Sequence, residues 1–113
     1  MSNFDETLWQ DLSFEELEDK AKKDPNCIWH LAIKYKNIQR EGYTKEEQSI
    51  KEHILMSELI YFSYKDLLDK EVLYDVSIYF MELSLKRLKQ AEERGSQKAI
   101  ERIPYLKKAI HLN

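Results

Sequence analysis

Glycine and proline are nearly missing from this 113-residue chain, which holds two of each. That leaves too little turn chemistry for a many-stranded sheet. A lone cysteine, Cys27, excludes an internal disulfide. The longest apolar stretch is broken by Glu52, His53, Glu58 and Lys65, so no membrane span is expected. The opening MSNFDETLWQDL has neither a basic region nor an apolar run, so no secretory signal is visible. Together these absences predict a soluble, cytoplasmic protein of a reducing compartment, although a mature chain with its signal removed would read the same. Gly42 and Gly95 stand alone, so no glycine-rich phosphate loop exists, and no carboxylates form an E-x-x-H or D-x-D pairing. Cys27 and His30 are three apart on one predicted helix, a spacing that could place both on one metal. Zinc needs three or four ligands, and the only other histidines are His53 and His111. A Cys–His nucleophile would need an orienting third group and an oxyanion site, and nothing marks either. A buried thiol beside a half-buried imidazole is the simpler expectation. No metal, no cofactor and no enzymatic activity are expected.

What is present is helical periodicity. Thr44 and Glu47 stand in capping-box spacing, each side chain placed to satisfy a backbone donor of a helix start. Behind them run three apolar lines: Ile50, Ile54, Tyr61, Tyr64 and Leu68; Leu55, Leu59 and Phe62; Met56, Ile60 and Leu67. A helix apolar on nearly every face is normally surrounded, so Thr44 to Asp69 reads as the central helix of the domain. The tyrosines Tyr61, Tyr64, Tyr74 and Tyr79 then read as core residues with hydroxyls at the rim, although aromatics also anchor interfaces.

Other elements fit around that helix. Phe4, Leu8 and Leu12 suggest a short N-terminal helix or docked arm, with Trp9 as a core plug. Ser13 and Glu16 form a second capping box that opens a helix to about Lys23, with Phe14, Leu17 and Ala21 on one face. Asp24 and Pro25 suit an N-cap and first position of a helix to about Arg40, ended by Gly42. A further helix runs from about Glu71 to Arg94, closed by Gly95, and Ser96 can cap the last. Pro104 falls inside that last segment, where an interior proline costs about 3 kcal/mol, so a kink or two short helices meeting near Ile103 are expected. The length suits one domain over residues 1–113. The fold class is all-α, with four to six helices packed as antiparallel hairpins, either a helical bundle or a short tetratricopeptide-like repeat.

Two segments repeat at an offset of 45 residues: Ile28-x-x-Leu31-Ala32-x-x-Tyr35 and Leu73-x-x-Val76-Ser77-x-x-Phe80. Each sets a small residue inside an apolar helix face, and a period of that order marks stacked helical hairpins. Here the chain resembles tetratricopeptide-type repeats, including their longer Sel-like relatives. The tail from Tyr105 to Asn113 looks like the second helix of such a repeat, and Ala21 to Tyr35 like a junction between two Sel-like repeats. The departures are Ala32 and Ser77 where the family has glycine, overlong connecting helices, and Pro104. The resemblance implies a protein-binding surface and no catalysis.

Net charge is −3, but it is polarised. Residues 1–27 carry eight acids against three bases, and residues 86–113 carry eight bases against three acids. Acidic and basic helices that attract one another would explain this, as would a field that steers a charged partner. The expected function is non-catalytic binding of another protein, as an adaptor or a small inhibitor of immunity or antitoxin type. The candidate partner-binding residues are Glu15, Glu16, Glu18 and Asp19, which would face a basic partner such as a nuclease toxin. The alternative is a nucleic-acid-binding regulator that uses the basic run Lys86, Arg87, Lys89, Arg94, Lys98, Arg102, Lys107 and Lys108, against an acidic total charge.

Overall fold

The computed structural model describes residues 11–111, which form five helices and no strand. They are α1 (Phe14–Lys23), α2 (Asn26–Asn37), α3 (Lys45–Tyr64), α4 (Lys70–Glu93) and α5 (Gln97–His111). The all-α hairpin architecture read from the sequence is therefore present. The expected N-terminal helix or arm with Phe4, Leu8 and Trp9 lies outside the described residues, as do Leu112 and Asn113. The chain divides into two compact units, Met1–Leu73 and Tyr74–Asn113. No helix among the described residues is long and apolar enough to cross a membrane.

In the first unit α2 packs against α1 on one side and α3 on the other. Seven of its twelve residues are buried, among them Ile28, Leu31, Ala32 and Tyr35. In α3 only Gln48, Met56 and Leu59 are buried among twenty. The central helix is therefore α2, which corrects the expectation placed on Thr44 to Asp69. Among the described residues α3 packs chiefly against α2, and it turns its Met56 and Leu59 face inward. Its line Ile50, Ile54, Tyr61 and Tyr64 is left in solvent, each at least half exposed. Tyr61, Tyr64 and Tyr74 are thus surface residues rather than core.

Both capping boxes form. Ser13 Oγ accepts from the Glu16 N–H at 3.1 Å while Glu16 accepts from the Ser13 N–H at 3.0 Å. Thr44 and Glu47 do the same at 3.0 and 3.2 Å. At the start of α2, Pro25 is already helical and the Asp24 carboxylate accepts from the Asn26 N–H at 3.0 Å, the capping role expected of it.

Three boundaries differ from expectation. First, α2 stops at Asn37, with Ile38 extended, and Gly42 is not its terminator. Gly42 (φ +85°) instead sits in a turn closed by the Tyr43 N–H to the Arg40 carbonyl. The end of α2 is held by Gln48 of α3, whose amide donates to the Tyr35 and Ile38 carbonyls, both at 2.8 Å, and accepts from the Arg40 N–H at 2.6 Å.

Second, α3 ends at Tyr64 rather than Asp69. Asp66 takes the left-handed conformation (φ +58°) usually left to glycine. The Leu67 N–H then bonds the Phe62 carbonyl and the Asp66 N–H the Ser63 carbonyl, both at 3.0 Å. These two bonds are the Schellman pattern, and they satisfy carbonyls that a helix end would otherwise orphan.

Third, α5 is one helix through Pro104, so of the two expectations there, a kink or two short helices meeting near Ile103, the second is not met. The carbonyl that loses its donor belongs to Ile100, which is exposed, so water can replace that bond.

The first turn of α4 belongs to the first unit, and the second unit is a hairpin of the rest of α4, from Tyr74, and α5. Gly95 (φ +92°) closes α4 as expected, with the Ser96 N–H on the Ala91 carbonyl and the Gly95 N–H on the Glu92 carbonyl, both at 2.9 Å. Ser96 Oγ accepts from the Ala99 N–H at 3.2 Å and so caps α5. In the two segments that repeat in sequence, Ala32 is completely buried whereas Ser77 lies at the surface.

Gln48→Ala removes three hydrogen bonds and leaves the buried Tyr35 carbonyl without its side-chain donor, so a loss of about 2 kcal/mol in urea unfolding is expected. A change below about 0.5 kcal/mol, the size of an ordinary surface substitution, would contradict the clamp. Asp66→Gly relieves a left-handed non-glycine residue and is expected to stabilise by up to about 1 kcal/mol in the same assay.

Candidate functional site

The four acidic residues singled out in the sequence all lie on α1, but they do different things. Glu15 and Glu18 both reach Arg40, at 3.1 and 2.9 Å. Glu16 is committed to the capping box, and Asp19 is close only to Lys22, at 3.8 Å with both side chains in solvent. An ion pair that exposed contributes little. The Glu15 carboxyl is held below its ordinary range chiefly by a hydrogen bond from its own backbone, with Arg40 adding to the effect. Glu16 is held low by the Ser13 N–H and hydroxyl.

Arg40 is the residue that sequence reading overlooked. Its side chain is only 15 % exposed. The guanidinium lies 5.1 Å from the Phe14 ring centroid, 5.9 Å from Tyr35 and 4.8 Å from Tyr43, and donates to the Tyr35 hydroxyl. Planar guanidinium groups favour such aromatic faces while their edges bond carboxylates. Burial alone would lower its pKa, but the Tyr35 and Glu18 partners outweigh that and raise it. Burial likewise pushes the Tyr35 phenol up. The Phe14 and Tyr35 rings meet at 4.8 Å, tilted by 47°, within the cluster that includes Leu17 and Leu31. Arg40 therefore ties α1 to the loop that follows α2, and half of the acidic candidates serve that internal contact.

Cys27 and His30 sit on the buried side of α2. Burial, aided by the Asp24 charge, pushes the thiol up to about 12. Burial also pushes the His30 imidazole down to about 3, with Asp24 opposing. Both groups are neutral at physiological pH, the opposite of the thiolate and imidazolium that a Cys–His nucleophile uses. Among the described residues no group of three or more His, Cys, Asp or Glu could hold a metal ion.

Two surfaces of another kind remain. On α3, Ile50, Ile54, Tyr61 and Tyr64 follow helical spacing along the outward face, with Ile60 beside them at 53 % exposure. In the second unit, a groove of about 680 Å³ runs between α4 and α5. All eight bases of the C-terminal run are exposed. No family model matches the chain, and no curated protein or solved structure matches it either.

His30 gives a pH dependence with a definite sign. Unfolding frees an imidazole that takes up a proton near pH 6.5, whereas the folded form resists it down to about 3. Its contribution is therefore complete above 6.5 and falls by about 1.4 kcal/mol per pH unit as the pH drops below that value. In urea titrations from pH 7 to 4, His30→Gln is expected to show a shallower loss than the native chain. Identical slopes would contradict a buried neutral His30.

Proposed function

We propose that the chain is a non-catalytic protein-binding module whose principal contact is the outer face of α3. It would serve as an adaptor or as a small inhibitor of immunity or antitoxin type. The observation that supports this is the stripe Ile50, Ile54, Tyr61 and Tyr64, exposed over about 21 Å of helix at 1.5 Å per residue. Ser57 interrupts the line, but four large apolar side chains aligned on one exposed helix face are costly to leave in water and are a usual mark of a partner surface. Tyrosine suits such a site because its ring is apolar and its hydroxyl tolerates water. Glu15, Glu16, Glu18 and Asp19 then contribute to the field that guides a basic partner, such as a nuclease toxin, more than to the contact itself. Glu15 and Glu18 already have Arg40.

A second reading rests on the eight exposed bases of the C-terminal run, Lys86 to Lys108, which could track nucleic-acid phosphates.

The two readings separate in one experiment. The tagged native protein and an Ile54→Asp/Tyr61→Asp variant are used for capture from the source organism's lysate, with and without nuclease. The expected result is one stoichiometric protein that survives nuclease and falls about tenfold or more in the variant, whose circular dichroism is unchanged. A partner retained by the variant would move the contact away from α3. Recovery of nucleic acid, lost with nuclease and with Lys107→Glu/Lys108→Glu, would overturn the protein-binding reading.

A further inference from the structure

The groove in the second unit is separate from the α3 stripe and has a chemistry of its own. Leu83 and Leu88 of α4 and Leu106 of α5 give it an apolar lining. The small residues Ser84 and Ala109 line it too, together with Tyr105, which is 71 % exposed. Arg87 and Arg102 flank it, one from each helix. Arg87 donates to the Gln90 side chain at 3.2 Å, a neutral partner that leaves its charge uncompensated. Among the described residues no carboxylate forms an ion pair with either arginine. The surrounding unit carries eight bases against five acids, so the field over the groove is positive.

The shape limits what can fill it. The groove is open along its length, whereas small-molecule sites enclose most of their ligand. A third helix laid in the valley of a helical hairpin would cover the leucines and meet small side chains where its backbone comes closest. The flanking charges then specify the edges of that helix. We propose that the groove between α4 and α5 takes an amphipathic helix of a partner protein, with acidic residues flanking its apolar stripe so that they meet Arg87 and Arg102. This extends the protein-binding reading to a second surface and does not depend on α3.

The test uses the full chain and a displayed library of helix-forming peptides about 15 residues long, near the length at which isolated helices become stable. Apolar residues are fixed at steps of three and four, and the flanking positions are drawn from Glu, Lys, Gln and Ser. Enriched peptides are resynthesised with a fluorophore and titrated by anisotropy against the native protein, Arg87→Glu/Arg102→Glu, and Ile54→Asp/Tyr61→Asp. The expected outcome is enrichment of Glu at the flanks and one-to-one binding. Affinity should fall about tenfold or more on reversal of the two arginines and stay unchanged in the α3 variant. The arginines are exposed, so their reversal leaves the fold intact, which a thermal melt checks. Lys-rich or neutral winners, or no enrichment, would overturn the proposal. So would peptides lost with the α3 variant but kept by the arginine variant, an outcome that would still leave the α3 stripe as a binding face. A labelled DNA duplex bound through Arg87 and Arg102 while no peptide is enriched would give the groove to nucleic acid, and dimerisation lost with those arginines would give it to a second copy. Either would overturn it too.

Discussion

A helix buried on both sides must have its ends satisfied from within, and that constraint on α2 shapes the first unit. Water cannot reach all the donors and acceptors that a helix terminus leaves open, so side chains supply the partners. At the N-terminal end, the Asp24 carboxylate accepts from both the backbone and the side chain of Asn26. The Asn26 oxygen in turn accepts from the Asp69 N–H at 2.7 Å, which brings the start of α4 to the start of α2. At the other end, Gln48 fills the open carbonyls and fixes α3 against the same helix. The polar residues that end α2 are therefore the ones that position its neighbours.

Arg40 is a second consequence. Once α2 ends at Asn37, the chain leaves along the side of α1, and the guanidinium falls between aromatic faces and two carboxylates. A lysine there would keep the charge but lose the planar fork that serves Tyr35, Glu18 and Glu15 together. With three helices fixed by these contacts, the inward face of α3 is set, and Ile50, Ile54, Tyr61 and Tyr64 on its outward face stay exposed. The exposed stripe follows from the way the core is closed.

Much of this was legible in the sequence, and the part that was not has a physical cause. The capping boxes, the role of Asp24, the closure at Gly95 and the cap at Ser96 are local, because each depends on residues within a few positions of one another. The role of α3 was misread because apolar periodicity reports which faces could be buried, not how many neighbours exist to bury them. The stop at Asp66 was hidden because aspartate adopts the left-handed conformation far less often than glycine. Gln48 did leave a signal: it lies about two and about three helical turns ahead of Leu55 and Leu59, a polar residue on an apolar line. Arg40 left none, since its hydrogen-bond partners come from 5 to 25 residues away. The acidic candidates on α1 were visible as charges, but their division between Arg40, a cap and solvent is tertiary information.

Native-state amide hydrogen exchange, read residue by residue, tests most directly that α2 carries the core while α3 presents a face to solvent. The slowest amides of the first unit should be those of Leu31, Ala32 and Tyr35, which exchange only through global unfolding. Those of the last turns of α3, near Tyr61 to Tyr64, should exchange through local opening at lower free energy. The reverse order, with α3 protected to the global limit and α2 opening locally, would make α3 the buried helix and remove the exposed stripe on which the binding surface rests.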